Sequence, residues 1–230
     1  MKILVLSSGG VDSTTCLGLA VEEAGPEEVL ALSIYYGQKH DREIRSAKDV
    51  AAYYDVERME LDLSTIFSDS NCSLLKQSSE EIPQESYAQQ IEKTGGQAPV
   101  STYVPFRNGL FLSAAASIAL SRGCSKIMYG AHADDAAGAA YPDCSIQFVE
   151  AMNQAITEGT GGLLRLESPF VSVSKAEVVK TGLRLGVPYE LTWSCYEGGD
   201  KPCGHCGTCI DRKRAFEQNG VCDPLYGEEV

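Results

Sequence analysis

The sequence has little positive charge. Its 230 residues include 19 lysines and arginines against 32 aspartates and glutamates, which gives a formal net charge of −13 at pH 7. A surface of this sign repels phosphate backbones, whereas proteins that bind nucleic acids usually carry a basic patch or stripe. The basic cluster Arg212-Lys213-Arg214 is too small to alter that balance. We therefore expect an enzyme that acts on small molecules and binds no nucleic acid.

The sequence also lacks a signal peptide and any apolar run long enough to cross a bilayer, so we expect no membrane partner. A disulfide scaffold is disfavoured by the cysteines themselves. They are nine in number, which is odd, and four of them are crowded between positions 195 and 209 with Cys-x-x-Cys spacing. This distribution is typical of a metal site in a reducing compartment, and we expect a cytoplasmic protein.

A turn rich in serine and glycine follows the first apolar run. Ile3 to Leu6 is short enough to be a buried parallel strand, and a helical pattern runs from Thr15 to Ala24. Between them, Gly9 and Gly10 permit a close backbone approach, and the helix N-terminus turns unpaired N–H groups into the turn. The pattern predicts a cradle for an anion such as phosphate, although it has neither Walker A nor dinucleotide-fingerprint spacing. The alternative is a turn that only joins strand to helix.

Strands and helices alternate along most of the remaining chain. The further predicted strands are 28–34, 56–63, 126–130 and 163–167, and the further predicted helices are 39–54, 109–120, 145–157, 174–185 and 210–218. Strand–helix–strand units of this length imply a parallel sheet with right-handed crossovers. We predict an α/β fold, a Rossmann-like parallel sheet with helices on both faces, whose ligands bind at the carboxyl ends of the strands.

Residues 64–102 interrupt this alternation. They are rich in serine, glutamine, glutamate and glycine, and they show little apolar periodicity. A loop of this length inside a compact domain is usually either functional or disordered. We predict an active-site lid, with an inert surface insertion as the alternative.

Four cysteines near the C-terminus form a C-x7-C-x2-C-x2-C pattern, Cys195, Cys203, Cys206 and Cys209. Short knuckles that contain Gly204 and Gly207 let successive thiolates converge on one tetrahedral ion. Because four sulfur ligands leave no open position, the pattern predicts one structural zinc ion. An iron–sulfur cluster, which uses the same ligands, and four unligated thiols are the alternatives.

Several motifs together resemble a known family. Ser8-Gly9-Gly10-Val11-Asp12-Ser13 resembles the pyrophosphatase loop (PP-loop) of the N-type ATP pyrophosphatases, whose adenine nucleotide alpha hydrolase-like fold cleaves ATP between the α- and β-phosphates. The loop and the four-cysteine knuckle, with five further motifs in the same order, resemble the 7-cyano-7-deazaguanine synthase family. Those five motifs are Tyr36-Gly37-Gln38-Lys39-His40, Val104-Pro105-Phe106-Arg107-Asn108, Tyr141-Pro142-Asp143-Cys144, Ser174-Lys175-Ala176-Glu177 and Leu191-Thr192-Trp193-Ser194-Cys195-Tyr196.

The resemblance implies a ligase that forms carbon–nitrogen bonds. Its substrates would be 7-carboxy-7-deazaguanine, ammonia and ATP with Mg²⁺. Its product would be the nitrile, 7-cyano-7-deazaguanine, which leads to queuosine or archaeosine. We expect the protein to form a homodimer. The resemblance also implies a PP-loop ATP-binding domain over residues 1–190, whose lid is 64–102, and a zinc-binding segment over 191–230 packed on the same domain.

The resemblance assigns roles to residues at matching positions. The implied catalytic residues are Asp12, Ser13, Lys175 and Arg107, and Arg107 would bind the carboxylate of the substrate. The ATP-binding residues are Leu6, Ser7, Ser8, Gly9, Gly10, Val11, Asp12, Ser13, Thr14, Thr15 and Cys16. The substrate-binding residues are Tyr36, Gln38, Arg107, Asn108, His132, Asp134, Asp135, Tyr141 and Asp143.

Structural explanations compete with some of these roles. Asp12 is a candidate Mg²⁺ ligand, and it is also placed to cap the first helix. Lys175 is either a clamp on the phosphates or a solvated helix lysine, and Arg107 could instead form a surface salt bridge. His132 could be a structural histidine. We interpret Cys144 as a packing residue, since adenylation needs no thiol.

Three other functions fit part of the pattern. A tRNA thiolase or lysidine synthase of the same superfamily would share the loop, but the charge of −13 counts against it. A glutamine-dependent amidotransferase would need a glutaminase, and residue 2 is lysine where a nucleophilic cysteine would stand. A zinc-stabilised nucleotide-binding module without turnover would differ by not consuming ATP when a carboxylate is added.

Overall fold

The computed structural model describes residues 2–96 and 98–226. Met1, position 97 of the predicted lid and positions 227–230 of the predicted C-terminal segment lie outside these residues. The strands are β1 (Lys2–Leu6), β2 (Val29–Tyr35), β3 (Glu57–Asp62), β4 (Cys124–Met128) and β5 (Arg165–Glu167). The helices are α1 (Val11–Ala24), α2 (Arg42–Tyr53), α3 (Tyr87–Thr94), α4 (Arg107–Ser121), α5 (Ala133–Ala136), α6 (Ile146–Gly159), α7 (Lys175–Leu185) and α8 (Gly207–Gln218).

The five strands form one parallel sheet in the order β3-β2-β1-β4-β5. β1 lies at the centre, where Leu4 pairs with Leu30 on one side and with Ile127 on the other. The chain moves outward from β1 through β2 to β3 and then returns to β4 on the opposite side of β1. This reversal of strand order creates a crevice at the carboxyl ends of β1 and β4, which is where open α/β sheets bind their ligands.

Each face of the sheet is covered by its own helices. Because successive side chains of a strand point to opposite faces, Ile3 and Val5 of β1 enter one core while Leu4 enters the other. The first core receives residues from α1, α2, α7 and α8, and the second receives residues from α4 and α6. The predicted fold class is thus confirmed, and β3 is an edge strand, as its alternating pattern indicated.

Several boundaries differ from the prediction by two or more residues: α2 begins at Arg42 and α8 at Gly207, and the short helix α5 was not predicted. Two further differences are larger. Helix α1 begins at Val11 rather than Thr15, because Gly10 has extended N-cap geometry and its carbonyl already accepts a hydrogen bond from Thr14 N at 3.0 Å. Within 64–102, helix α3 forms where the sequence showed little periodicity. A capping box starts it, since Gln89 N donates to Ser86 Oγ and Ser86 N donates to Gln89 Oε1.

The described part of residues 64–102 is attached to the molecule by a third apolar cluster. Phe67, Leu75 and Ile82 pack there with Trp193, and the sulfurs of the cysteine knuckle belong to the same cluster. This segment and the knuckle therefore share a core. No helix in the described part of the chain combines the length and apolarity needed to cross a lipid bilayer.

A buried ion pair holds helix α8 in place. Arg212 donates to both carboxylate oxygens of Asp223, at 2.6 and 2.8 Å, and the two side chains are 1% and 2% exposed. The same guanidinium donates to Thr192 Oγ1 at 2.7 Å and to the carbonyl of Tyr189 at 3.1 Å. Arg212 of the small basic cluster is therefore buried and anchors helix α8, and it is not part of a basic surface.

We expect Asp223→Ala to lower the free energy of unfolding by about 3–5 kcal/mol, because it leaves a buried guanidinium without its counter-charge. Urea unfolding of the metal-loaded protein measures the change. Glu217→Gln on the exposed side of the same helix is the matched control, and it should stay within about 0.5 kcal/mol of the parent. A loss below about 1 kcal/mol for Asp223→Ala would mean that the pair does not anchor the helix.

Candidate active site

The turn after β1 is shaped by direct contact with two other segments. Gly9 has a φ of 84°, and a Cβ at this position would collide with the backbone of Glu43 and Ala47 in α2. The Gly9 carbonyl accepts a hydrogen bond from Trp193 N at 2.9 Å. Only glycine combines this backbone conformation with so close an approach. The turn is therefore fixed between α2 and the segment that leads into the cysteine knuckle.

The hydroxyl groups of the turn are gathered around the start of α1. Ser8 Oγ lies 3.0 Å from Ser13 Oγ, and Ser8 N donates to Ser13 Oγ at 3.2 Å. Gly10 N donates to Ser8 Oγ at 3.3 Å. Unpaired N–H groups in the first turn of a helix, next to such hydroxyls, favour the binding of an anion. The geometry is that of a phosphate cradle.

A compact charged cluster lies beside this cradle. Lys175 Nζ donates to Asp12 Oδ2 at 2.7 Å and lies 3.4 Å from His132 Nε2. His132 Nε2 is 3.3 Å from Asp135 Oδ2, and Lys175 N donates to Asp134 Oδ2 at 2.8 Å. The cluster brings together the N-terminal ends of α1, α5 and α7, as expected for groups at the carboxyl edge of a parallel sheet.

The acids of this edge differ in proton affinity. Burial would raise the pKa of Asp12, but Lys175 and His132 outweigh it and hold the pKa below its usual value. Burial dominates at Asp135 and Asp211, where it raises the pKa. Asp12 is therefore ionised at neutral pH. Its Oδ1 is buried and accepts no hydrogen bond among the residues that the structure describes, so this oxygen fits a cation ligand.

Arg107 lies on the far side of the crevice against aromatic rings. Its guanidinium is 5.1 Å from the ring centre of Tyr36 and 5.9 Å from that of Phe111, and Nη1 donates to Tyr36 Oη at 3.2 Å. Asn108 N donates to Asp143 Oδ2 at 2.9 Å, which fixes the first turn of α4. The open side of the guanidinium remains able to bind a carboxylate.

The cradle, the charged cluster and Arg107 border one cavity of about 500 Å³. Most of the residues predicted from the sequence line it. They are Leu6, Ser7, Ser8, Gly10, Asp12, Ser13, Tyr36, Gln38, Arg107, Asn108, His132, Asp134, Asp135, Tyr141 and Lys175. Lys175 is thus part of the site's charge network, and Arg107 forms no ion pair with a carboxylate among the described residues.

Six predicted residues lie behind the cavity wall. Gly9 and Val11 support the turn, and Cys16 is in the core. Thr14 is buried, and Thr15 Oγ1 is 2.9 Å from Tyr189 Oη. Asp143 is buried and contacts the site through Asn108 and through Tyr129, whose hydroxyl donates to the Asp143 carbonyl at 2.9 Å.

Several residues that line the cavity were missed from the sequence. They are Glu43, Tyr87, Ile91, Phe111, Trp193, Tyr196, Asp211 and Arg214. Trp193 and Tyr196 belong to one of the family motifs given above, which could have drawn attention to them, and Phe111 lies one helical turn after Arg107. Glu43 and Tyr87 carried no signal, because each lies in a polar stretch that also fits an exposed surface.

The four cysteines of the knuckle meet in space. Their Sγ atoms all lie within 4.8 Å of one another, and Cys203 and Cys209 are 3.9 Å apart. Sulfurs on a tetrahedral zinc ion, with bonds of about 2.3 Å, are separated by about 3.8 Å. Cys206 N donates to Cys203 Sγ at 3.3 Å, an arrangement that stabilises thiolates. The cluster could hold a metal ion, and His205 is exposed beside it.

A family model, described as "Queuosine biosynthesis protein QueC", matches residues 2–220. The chain belongs to the QueC family. Its relatives include 7-cyano-7-deazaguanine synthase of Archaeoglobus fulgidus, which is 43% identical over 230 residues, with 100% of this chain and 91% of the relative covered. The protein of the same name from Oceanobacillus iheyensis is 42% identical over 226 residues, with 97% of each chain covered.

Solved structures that resemble this QueC-family chain share its fold at low sequence identity. NMN synthetase from Francisella tularensis superposes with a TM-score of 0.52 at 14% identity, covering 96% of this chain and 77% of that one. The U34-tRNA thiolase NcsA from Methanococcus maripaludis, solved with its [4Fe-4S] cluster, gives a TM-score of 0.50 at 14% identity, covering 95% and 66%. These likenesses support the PP-loop fold.

Proposed function

We propose that this protein converts 7-carboxy-7-deazaguanine to 7-cyano-7-deazaguanine with ATP and ammonia, as a ligase that forms carbon–nitrogen bonds. The observation that carries the proposal is that the serine- and glycine-rich turn and Arg107, which forms no ion pair with a carboxylate among the described residues, line one cavity in a chain of the QueC family. A site of this kind can hold the polyphosphate of ATP and the carboxylate of a small heterocycle at the same time.

The first chemical problem is that a carboxylate is a poor acyl donor, because its leaving group would be oxide. We propose that a carboxylate oxygen attacks the α-phosphorus of ATP, that pyrophosphate leaves, and that the substrate becomes an acyl adenylate. Ser8, Ser13 and the N–H groups at the start of α1 bind the phosphates that depart. Lys175 offsets the charge that develops on them, since its ammonium lies beside the cradle and keeps its proton.

Asp12 holds Lys175 in position through Oδ2, and its other carboxylate oxygen, Oδ1, accepts no hydrogen bond among the described residues. That oxygen fits a Mg²⁺ ion, which would supply charge neutralisation for the polyphosphate. The excess of acidic groups at this end of the cavity, including Asp134 and Asp211, gives a second reason to expect a cation there.

The substrate itself would lie along the aromatic side of the cavity. We propose that Arg107 binds its carboxylate and that Tyr36 and Phe111 contact the flat ring system. The Gln38 side chain accepts a hydrogen bond from Tyr36 N at 2.9 Å and so holds the backbone at Tyr36. His132 and Asp135 are the candidates for proton transfer, and Asn108 and Tyr141 for contact with the base.

The second half of the reaction begins with the amide. Ammonia attacks the acyl carbon of the adenylate, AMP leaves, and the amide remains in the cavity. A second ATP then activates the amide oxygen, and loss of that oxygen with its phosphoryl group, together with the N–H protons, gives the nitrile. One cradle serves both activations if the amide stays bound while the nucleotide is exchanged.

We propose that residues 64–102 act as a lid on the α/β domain of residues 1–190. Tyr87, Ala88 and Ile91 of α3 line the cavity, and Tyr87 Oη is 2.6 Å from Tyr196 Oη near the cysteine knuckle. Such a segment would exclude water from the acyl adenylate. The homodimer and the division at residue 190 stay predictions.

The test of the reaction uses ATP, Mg²⁺, ammonium and 7-carboxy-7-deazaguanine, with mass spectra of the products. We expect amide and then nitrile. Asp12→Asn should lower the rate by about 10²–10³-fold, because it releases Lys175 from the cradle. Asp49→Asn, at an exposed position of α2, is the control. The absence of both products from the metal-loaded parent would overturn the proposal, and joint loss of metal and turnover in Asp12→Asn would make Asp12 a structural residue.

We propose that the four-cysteine cluster binds one zinc ion. Four sulfurs within reach of one tetrahedral ion, next to the first turn of α8, form a closed structural site. Zinc would fasten α8 to the segment that contains Trp193 and Tyr196, and so support one wall of the cavity.

Elemental analysis should find one zinc ion per chain. Cys206→Ser should lose it and lower the Tm by at least about 5 °C, since a change of 1 kcal/mol corresponds to about 2–4 °C in a chain of this size. Cys222→Ser, an exposed cysteine outside the cluster, should retain both metal and Tm. Iron and inorganic sulfide in the purified protein, in place of zinc, would contradict the assignment.

A further inference from the structure

Glu43 lies beside the proposed phosphate cradle and lines the same cavity as Arg107. It is in the first turn of α2, and its backbone packs against Gly9 of the phosphate cradle. Its side chain lines the main cavity. It also lines a second, small cavity formed with Tyr36, Gln38, Lys39, His40, Leu74 and Tyr196.

The second cavity has the dimensions of one small molecule. Its volume is about 10 Å³, and about 10–15 Å³ on this measure is what one water molecule requires. Ammonia and ammonium are of similar size. The small cavity adjoins the main one, because four residues border both: Tyr36, Gln38, Glu43 and Tyr196.

The carboxylate of Glu43 has no partner of its own. Within residues 2–96 and 98–226, no hydrogen bond and no ion pair within 4 Å is formed by its oxygens. Neither Lys39 nor Arg107 forms an ion pair with it among the described residues: Lys39 Nζ donates to the carbonyl of Glu80 at 2.9 Å, and Arg107 Nη1 donates to Tyr36 Oη at 3.2 Å. A partly buried carboxylate in this state favours a small donor that carries positive charge.

The surroundings also set its proton affinity. Burial raises the pKa of Glu43 to about 7, and the positive charge of Arg107 opposes the rise. The groups that face it from other elements are Tyr36 and His40 after β2, Arg107 of α4 and Tyr196 beside the knuckle. A carboxylate with this proton affinity is a far better proton acceptor than an exposed glutamate.

We propose that Glu43 binds the incoming ammonium ion and accepts one of its protons, so that ammonia is released next to the activated carboxylate. The inference rests on the proposed function and adds the residue that supplies its nucleophile. The proton moves from NH₄⁺ to the Glu43 carboxylate, the nitrogen lone pair forms the C–N bond, and the C–O bond to AMP breaks. The amide nitrogen then loses its extra proton to solvent.

Glu43 shares the main cavity with the proposed carboxylate site. Glu43 and Arg107 both line this cavity, so a substrate carboxylate bound to Arg107 would lie in the same cavity as an ammonium ion held at Glu43. The cradle that holds the phosphates touches the same turn of α2. Nucleophile, acyl carbon and leaving group are thereby brought to one corner of the cavity.

The test compares two nucleophiles in Glu43→Gln. Ammonia is mostly protonated at neutral pH, whereas hydroxylamine is mostly neutral and needs no base. We expect the variant to lose about 10²-fold in kcat/KM for ammonium. The same variant should form the hydroxamate from hydroxylamine at a rate within a few-fold of the parent. Isotope exchange between pyrophosphate and ATP, with 7-carboxy-7-deazaguanine and no ammonium, reports on activation alone and should be unchanged.

Asp49→Asn on the same helix is the matched control for all three assays, and Glu43→Asp should recover part of the activity with ammonium. An unchanged kcat/KM for ammonium in Glu43→Gln would overturn the inference. Equal losses with both nucleophiles, or loss of the isotope exchange, would also overturn it, since Glu43 would then act in activation or folding. If the parent itself makes no amide or nitrile, the proposed function fails instead.

Discussion

The site depends on one backbone contact, the packing of Gly9 against α2. With a Cβ at position 9, the turn could not lie against the backbone of Glu43 and Ala47. This contact sets the start of α1 at the cavity and carries Glu43 to the same place. The hydrogen bond from Trp193 N to the Gly9 carbonyl adds the segment that leads into the cysteine knuckle. Three distant parts of the chain are thus assembled around Gly9, which does not itself line the main cavity.

Charge is distributed unevenly between the two ends of the cavity. At the cradle, Lys175 is surrounded by Asp12, Asp134 and Asp135, whereas Arg107 at the aromatic end is bordered by rings and by Glu43. The proposed binding of a polyphosphate to an acidic protein would need cations at the cradle, and Asp12 Oδ1, which accepts no hydrogen bond among the described residues and lies 3.7 Å from His132 Nε2, is the proposed ligand for one. The aromatic end instead suits a flat anionic substrate. The sites that we propose for the nucleotide and for the carboxylate therefore lie at different ends of the cavity.

The sequence was sufficient for the sheet, the cradle and the cysteine cluster, because each depends on local patterns. Apolar runs mark β1 and β2, glycine spacing marks the turn, and cysteine spacing marks the knuckle. Residues placed by tertiary contact were not predictable in the same way. Glu43 is one acid in a polar helix, and only the packing on Gly9 turns it inward. Thr15 and Asp143 were assigned to the site by motif, but the helix and the α4 turn direct them into the interior.

The central claim is that a carboxylate bound at the aromatic end is activated by transfer of AMP at the cradle. The most direct test starts from 7-carboxy-7-deazaguanine labelled with ¹⁸O in its carboxylate, and follows the label in the phosphorus-containing products of the amide-forming step. The account predicts one ¹⁸O atom in AMP and none in pyrophosphate. Label in inorganic phosphate, with ADP as the nucleotide product, would show that the loop transfers phosphate instead, and would contradict the account.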